Sequence, residues 1–130
     1  MKNKIKKSLI VDAAHEKIIF KIISNNKIYT TDYENSRENF DKFAVLLFTF
    51  LEKKKISFKI IDKVIVNLGP GKYSSIRTSL STLKALNLIY EFKIYGFSSK
   101  DAEKTDYLRV LNLLKKNKLI KKLIKPLYMS

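Results

Sequence analysis

Cysteine is absent from the 130 residues, which excludes a disulfide framework, a thiolate metal site and a cysteine nucleophile. Histidine occurs once, at His15, so multi-histidine metal centres are excluded and a serine–histidine–carboxylate triad has a single candidate base. Glycine (3) and proline (2) are scarce, and tryptophan is missing. No apolar run approaches the roughly 18 residues of a membrane span. The basic stretch Met1–Lys7 leads into an apolar run broken by Asp12, His15 and Glu16, which does not read as a signal peptide. A cytoplasmic protein without a membrane partner is expected.

Acidic residues are few as well, 12 against 27 Lys+Arg, for a formal charge of +15. Such a surplus favours contact with something acidic, whether RNA, DNA or a protein surface. Only Arg37, Arg77 and Arg109 carry the guanidinium fork that specific base or phosphate reading usually recruits. A solvated lysine coat therefore explains the charge as readily as nucleic-acid binding. What is present suffices for one folded domain, since 45% of the residues are apolar and 12% aromatic.

Ser8–Ala14 holds a short apolar run suited to a strand buried on both faces. Glu16–Ser24 and Ile28–Glu34 read as two further strands, joined by a tight turn at Ser24-Asn25-Asn26-Lys27. The period then changes. Phe40, Phe43, Ala44, Leu47, Phe50 and Leu51 recur at helical spacing, predicting one helix over Arg37–Lys54 with Ser36 as its N-cap. Val45, Leu46 and Phe48 lie outside its main stripe.

Asp62–Leu68 is a buried strand that stops at Gly69-Pro70-Gly71. Ile76, Leu80, Leu83, Leu86 and Tyr90 mark a second helix, capped by Ser74 or Ser75, whose other side is small: Thr78, Ser81, Thr82 and Ala85. Lys93–Phe97 is a last strand, and Asp101–Asn117 and Leu119–Lys125 read as helices. The order β-β-β-α-β-α-β-α matches a mixed α/β sheet of the ribonuclease-H-like core, as in the actin, sugar-kinase and Hsp70 superfamily.

Two features carry candidate chemistry. A glycine loop between a buried strand and a helix can bind an anion, yet neither a P-loop nor a dinucleotide fingerprint is present. A tight turn requiring positive φ explains the same glycines. Asp12 ends the first strand, where a carboxylate can orient a phosphate or hold a metal through water, or simply cap the turn. Nuclease chemistry needs several convergent carboxylates, and Asp32, Glu34, Asp62 and Asp101 fall elsewhere. His15, with no evident serine partner, reads as a turn residue.

The stretch Val64-Ile65-Val66-Asn67-Leu68-Gly69-Pro70-Gly71-Lys72-Tyr73-Ser74-Ser75-Ile76-Arg77 resembles the strand–loop–helix signature of the TsaB (YeaZ) proteins. There, Gly-Pro-Gly-Ser-Phe-Thr-Gly-Leu-Arg follows a hydrophobic strand. Leu9–Ala13 resembles that family's opening Leu-Ala-Ile-Asp-Thr, Ile94–Ser99 its Val-Gly-Val-Ser-Ser strand, and Lys125–Met129 its closing Pro-Val-Tyr-Leu-Arg. Ser75 and Ala13 stand where the family has Gly and Thr, and Ser36-Arg37-Glu38 where it has His-Ser-Glu.

The resemblance implies residues 1–99 as a ribonuclease-H-like domain and residues 100–130 as a short helical segment in place of most of a second one. It implies no cofactor and no metal, with Asp12, Gly69, Pro70, Gly71 and Arg77 as degenerate nucleotide-loop positions. It further implies a non-catalytic scaffold subunit that pairs with a TsaD-type catalytic subunit and a TsaE-type ATPase. Together they make threonylcarbamoyladenosine beside the tRNA anticodon, with indirect tRNA contact. The first two helices would form the partner contact, or a homodimer when alone, through Val45, Phe48, Thr78, Ser81, Thr82 and Ala85. An alternative reading is a basic module contacting tRNA directly through Tyr107–Lys125. A degenerate enzyme is the third.

Overall fold

The computed structural model describes residues 7–25, 27–105 and 107–121. Its sheet has five strands in the order β3-β2-β1-β4-β5: β1 (Lys7–Asp12), β2 (Lys17–Ser24), β3 (Lys27–Glu34), β4 (Ile61–Asn67) and β5 (Lys93–Phe97). β1 pairs antiparallel with β2 and parallel with β4, and β4 runs parallel to β5. The central strand and its parallel neighbour carry continuous apolar runs: Leu9, Ile10 and Val11, and likewise Val64, Ile65 and Val66, are all fully buried. β3, at one edge, alternates exposed and half-buried positions and places Lys27, Asp32 and Glu34 there, a charge pattern that protects an open edge. Asn25, at φ 51°, adopts the left-handed conformation a tight hairpin demands, while Asn26 lies outside the described residues.

Two helical layers cover the sheet. Leu9 and Val11 of β1, with Phe20, Val64 and Val66, face α2 (Phe43–Lys53) and α3 (Tyr73–Tyr90). Ile10, Ile65 and Phe97 point to the other face, where Tyr107, Val110 and Leu119 cover them. The alternation of neighbours between the two clusters is the period-2 rule of a strand. Phe20 anchors the first cluster, meeting Phe43 edge-on at 5.4 Å and stacking on Phe50 at 6.2 Å.

The expected first helix is in fact two. α1 (Arg37–Asp41) starts on Ser36, whose Oγ accepts the Asn39 N–H at 3.2 Å, as the capping pattern predicts. Lys42 leaves helical geometry at φ −119°, ψ 34°, and the turn there re-aims α2 so that Phe43 packs on Phe20. Leu46 packs against the core as well, leaving Val45 and Phe48 as the outward apolar residues of α2.

α3 starts on Lys72, without a side-chain cap, and not on Ser74 or Ser75. Ser75 is buried and donates to Asn35 Oδ1 at 2.9 Å, a tertiary bond that takes its hydroxyl away from capping. The helix expected over Asp101–Asn117 divides into a 3-10 segment, Ser99–Thr105, and α4 (Leu108–Lys115). Asp101 accepts from the Ser98 amide and hydroxyl and from Arg109 Nε, at 3.3, 3.2 and 2.9 Å, local bonding that competes with a regular helix. Burial pushes the Asp101 carboxyl up, but the bonds from Arg109 and Ser98 outweigh it and hold it below the usual carboxylate range.

Leu119–Lys121 is not helical, because Ile120 exchanges both backbone hydrogen bonds with Gly96. The rest of the expected Leu119–Lys125 helix, and the Lys125–Met129 match, lie outside the described residues. Among the described residues, no helix is long and apolar enough to cross a membrane.

Candidate functional site

Asp12, Asn67 and Phe97 end strands β1, β4 and β5, and the loops that follow converge at this edge. In open α/β sheets this edge is where ligands bind. Asp12 is only 4% exposed, and its carboxylate is surrounded by donors. Oδ1 accepts from the Ala14 N–H at 3.2 Å and Asn67 Nδ2 at 3.0 Å, and Oδ2 accepts from the Tyr107 hydroxyl at 2.9 Å. The turn-capping role expected for Asp12 is therefore present, joined by two bonds that spacing alone does not announce. Burial first, then the neighbouring Asp12 charge and the hydrogen bond to it, push the Tyr107 phenol far above the ordinary tyrosine value, so it stays a donor.

The Gly-Pro-Gly loop is bonded largely to its own chain. Asn67 Oδ1 accepts the Gly69 N–H at 2.8 Å, Phe97 O the Leu68 N–H at 2.9 Å, and Ala14 O the Lys72 N–H at 2.7 Å. Gly69 sits at φ 104°, and its peptide bond to Pro70 is cis. A Cβ on Gly71 would lie 2.3 Å from Ala14 O, so only glycine lets the loop close on the β1–β2 turn. An incoming phosphate would have to displace these bonds to reach the Leu68, Gly69 and Lys72 amides.

His15 does have a serine partner, contrary to the sequence reading: its Nε2 lies 3.1 Å from Ser99 Oγ, across 84 residues of chain. The Ser99 hydroxyl also lies 2.6 Å from Pro70 O and 3.3 Å from Asn67 Oδ1, so it joins the β1–β2 turn to the Gly-Pro-Gly loop. The pair functions as a loop clasp between the β1–β2 turn and the segment after β5.

Asn35 is a second clasp that sequence reasoning missed. It donates to the Ala13 and His15 carbonyls at 2.9 and 2.8 Å while accepting from Ser75, tying the end of β3 to the β1–β2 turn and α3. Neither Asn35 nor Tyr107 belongs to a recognisable local pattern. Asn67, last in its strand before Leu68-Gly69, is where a local signal existed.

Of the predicted loop positions, Asp12, Gly69, Pro70 and Gly71 come together, whereas Arg77 joins none of these bonds. Its guanidinium lies 5.4 Å over the Tyr73 ring on the outer side of α3. The predicted contact residues share the outer helical layer. Val45 and Phe48 of α2 are 61% and 39% exposed, and the Phe48 ring packs against Phe58 at 5.4 Å. Thr78, Ser81, Thr82 and Ala85 of α3 are half or fully exposed. Their stripe continues at i+3 and i+4 into Leu88 and Ile89, 86% and 71% exposed, which the sequence reading did not single out.

An antiparallel three-stranded opening followed by parallel strands with crossing helices defines a ribonuclease-H-like α/β protein. Solved structures agree: Thermus thermophilus RuvC, bound to a Holliday junction, superposes with TM-score 0.53 at 12% identity over 93% of this chain and 83% of its own. YeaZ from Pseudomonas aeruginosa reaches TM-score 0.69 at 11% identity, over 86% of this chain and 50% of its own. A protein similar to the peptidase YeaZ of Pseudomonas aeruginosa reaches 0.65 at 13% identity, over 72% and 43%.

No protein-family model matches the chain. In sequence it is 25% identical over 91 residues to the tRNA threonylcarbamoyladenosine biosynthesis protein TsaB of Buchnera aphidicola (subspecies Schizaphis graminum). That match covers 70% of this chain and 43% of the relative, so the chain spans less than half of that protein's length. The chain is thus similar to TsaB/YeaZ proteins in fold and, over 91 residues that include the strand–loop–helix stretch, in sequence.

Proposed function

We propose that this chain is a non-catalytic scaffold subunit in the threonylcarbamoyladenosine modification of tRNA, supporting a TsaD-type catalytic subunit together with a TsaE-type ATPase. The likeness to a TsaB protein supports the pathway. The single observation that carries the scaffold role is the contrast between the two candidate surfaces. At the strand ends Asp12, Asn67 and Ser99 are bonded to one another or to neighbouring chain, whereas the outer faces of α2 and α3 leave Val45, Phe48, Leu88 and Ile89 uncovered. A surface with free aliphatic and aromatic side chains is suited to association, and a saturated polar cluster is suited to holding loops.

In this reading residues 1–99 form the ribonuclease-H-like unit, and the segment after it, through α4 and Leu119 among the described residues, covers the second face of the sheet. The burial of Tyr107, Val110 and Leu119 against the second face of the sheet supports that division. Alone, the chain uses the same outer helices to self-associate. A reconstituted modification assay tests the proposal: product should form with the TsaD-type and TsaE-type proteins only when this chain is added. Equal product without it would end the scaffold reading.

One observation favours the tRNA-binding alternative: Lys115, Lys116, Lys118 and Lys121 are exposed around the end of α4, with no acidic residue beside them in sequence. Lys122, which extends this set, lies outside the described residues. If the lysines are a solvated coat, tRNA affinity should fall about 100-fold or more between low and physiological salt, as counterion release requires for several phosphate contacts. Binding that survives such salt in a filter assay, and is lost when Lys115, Lys116 and Lys121 are neutralised, would favour direct tRNA recognition.

A further inference from the structure

Arginine is rare here, and the three copies are not used alike. Arg109 is paired with Asp101 at 2.9 Å. Arg37, opening α1, and Arg77, in the second turn of α3, have no ion pair among the described residues. They line two adjoining cavities, about 290 and 350 Å³, that share Phe40 and Ser74 as common wall. Hydroxyls supply most of the remaining lining, and no acidic side chain among the described residues lines either cavity. The Arg77 guanidinium rests against the Tyr73 ring, which orients its plane. Two unpaired forked donors beside a hydroxyl-rich groove match carboxylates, which accept in bidentate fashion.

The groove is also one end of the outer stripe of α3. From Arg77 the stripe passes Thr78, Ser81 and Ala85 to reach Leu88 and Ile89. Eleven residues at 1.5 Å each separate Arg77 from Leu88 by about 16 Å, or three helical turns. A small free anion would fill the polar end only, and a nucleic-acid backbone would meet uncovered aliphatic side chains at the other.

We infer that this groove is the docking slot for the acidic end of an amphipathic helix on the catalytic partner. That helix carries carboxylates against Arg37 and Arg77 and aliphatic residues about three turns further along, against Leu88 and Ile89. The inference rests on the scaffold reading above and adds to it the partner's chemistry and polarity. Lysine is abundant nearby, so the rare arginines, and not the net charge, set the register of the contact.

The test measures affinity of the full chain for the TsaD-type subunit, with circular dichroism to establish folding. The Arg37→Ala, Arg77→Ala double variant should stay folded, since both side chains are exposed, and should bind at least tenfold more weakly and with less salt dependence. Lysine at both positions should restore only part of the loss, because charge returns without the fork. Wild-type affinity in the folded double alanine variant, while Ala85→Arg abolishes binding, would overturn the slot and leave the scaffold reading standing. Absence of wild-type binding would remove both. A double variant that weakens self-association but not binding to the TsaD-type subunit would make the occupant a second copy, and would likewise overturn the assignment.

Discussion

Asp12→Ala should lower the unfolding free energy by about 3 kcal/mol, the scale on which buried polar networks fail when their shared acceptor is removed. Three donors converge on that carboxylate, the Ala14 amide, Asn67 Nδ2 and the Tyr107 hydroxyl. Deleting it leaves each of them facing a buried cavity with no acceptor. Tyr107→Phe removes one donor and leaves the carboxylate two others, so about 1–2 kcal/mol is expected there. Urea titrations of the three proteins give the order directly. A loss below about 1 kcal/mol for Asp12→Ala would mean that the network contributes little.

The same bond predicts an alkaline limb. Burial and the Asp12 carboxylate raise the folded-state pKa of Tyr107 above its unfolded value. Its contribution is therefore fully present below the unfolded tyrosine value of about 10. Above that pH the unfolded chain loses the phenolic proton and the folded chain keeps it, so stability falls by about 1.4 kcal/mol per pH unit for this one group. The limb should be shallower in Tyr107→Phe than in the wild type. Identical limbs would show that Tyr107 is not held as a buried donor.

Ala85→Arg should abolish both self-association and partner binding while leaving the chain folded. Ala85 is exposed on α3, so a guanidinium there projects outward and meets no core atom of its own chain. Across a close helix–helix contact it would collide with the facing backbone and bury a charge without a partner. Phe48→Ala acts differently. The ring is 39% exposed and already held against Phe58, so its partner-facing edge is ordered before binding. Its truncation should weaken association by about 1–3 kcal/mol. Sedimentation with circular dichroism decides both: an unfolded Ala85→Arg variant would make that face core, and a folded variant that still associates would move the interface elsewhere.

The core was legible because it follows from local period. Phe43, Leu47, Phe50 and Leu51, and again Ile76, Leu80 and Leu83, lie at helical spacing, and all of them are buried. The fully buried run Leu9-Ile10-Val11 marks the central strand, and the Gly-Pro-Gly stop marks the turn after β4. The small outer face of α3 was legible for the same reason, since a helix displays every third and fourth residue together.

Composition and spacing by themselves determined the mixed α/β order, the absence of cysteine chemistry and the small outer side of α3, but not Leu88 and Ile89, which extend it. Tertiary structure alone decided what His15 and Ser75 do, and added Tyr107 to the turn cap at Asp12, because Ser99, Asn35 and Tyr107 arrive from 84, 40 and 95 residues away. It also decided where helices break. Lys42 turns so that Phe43 can reach Phe20, and Ile120 leaves helical geometry to bond Gly96, whose Cβ, if it had one, would lie 2.3 Å from Leu68 Cδ1. Periodicity reports which face of an element is apolar, a local property. A hydrogen bond between distant residues depends on the directions of two side chains after the sheet has assembled, and no window of sequence contains that information.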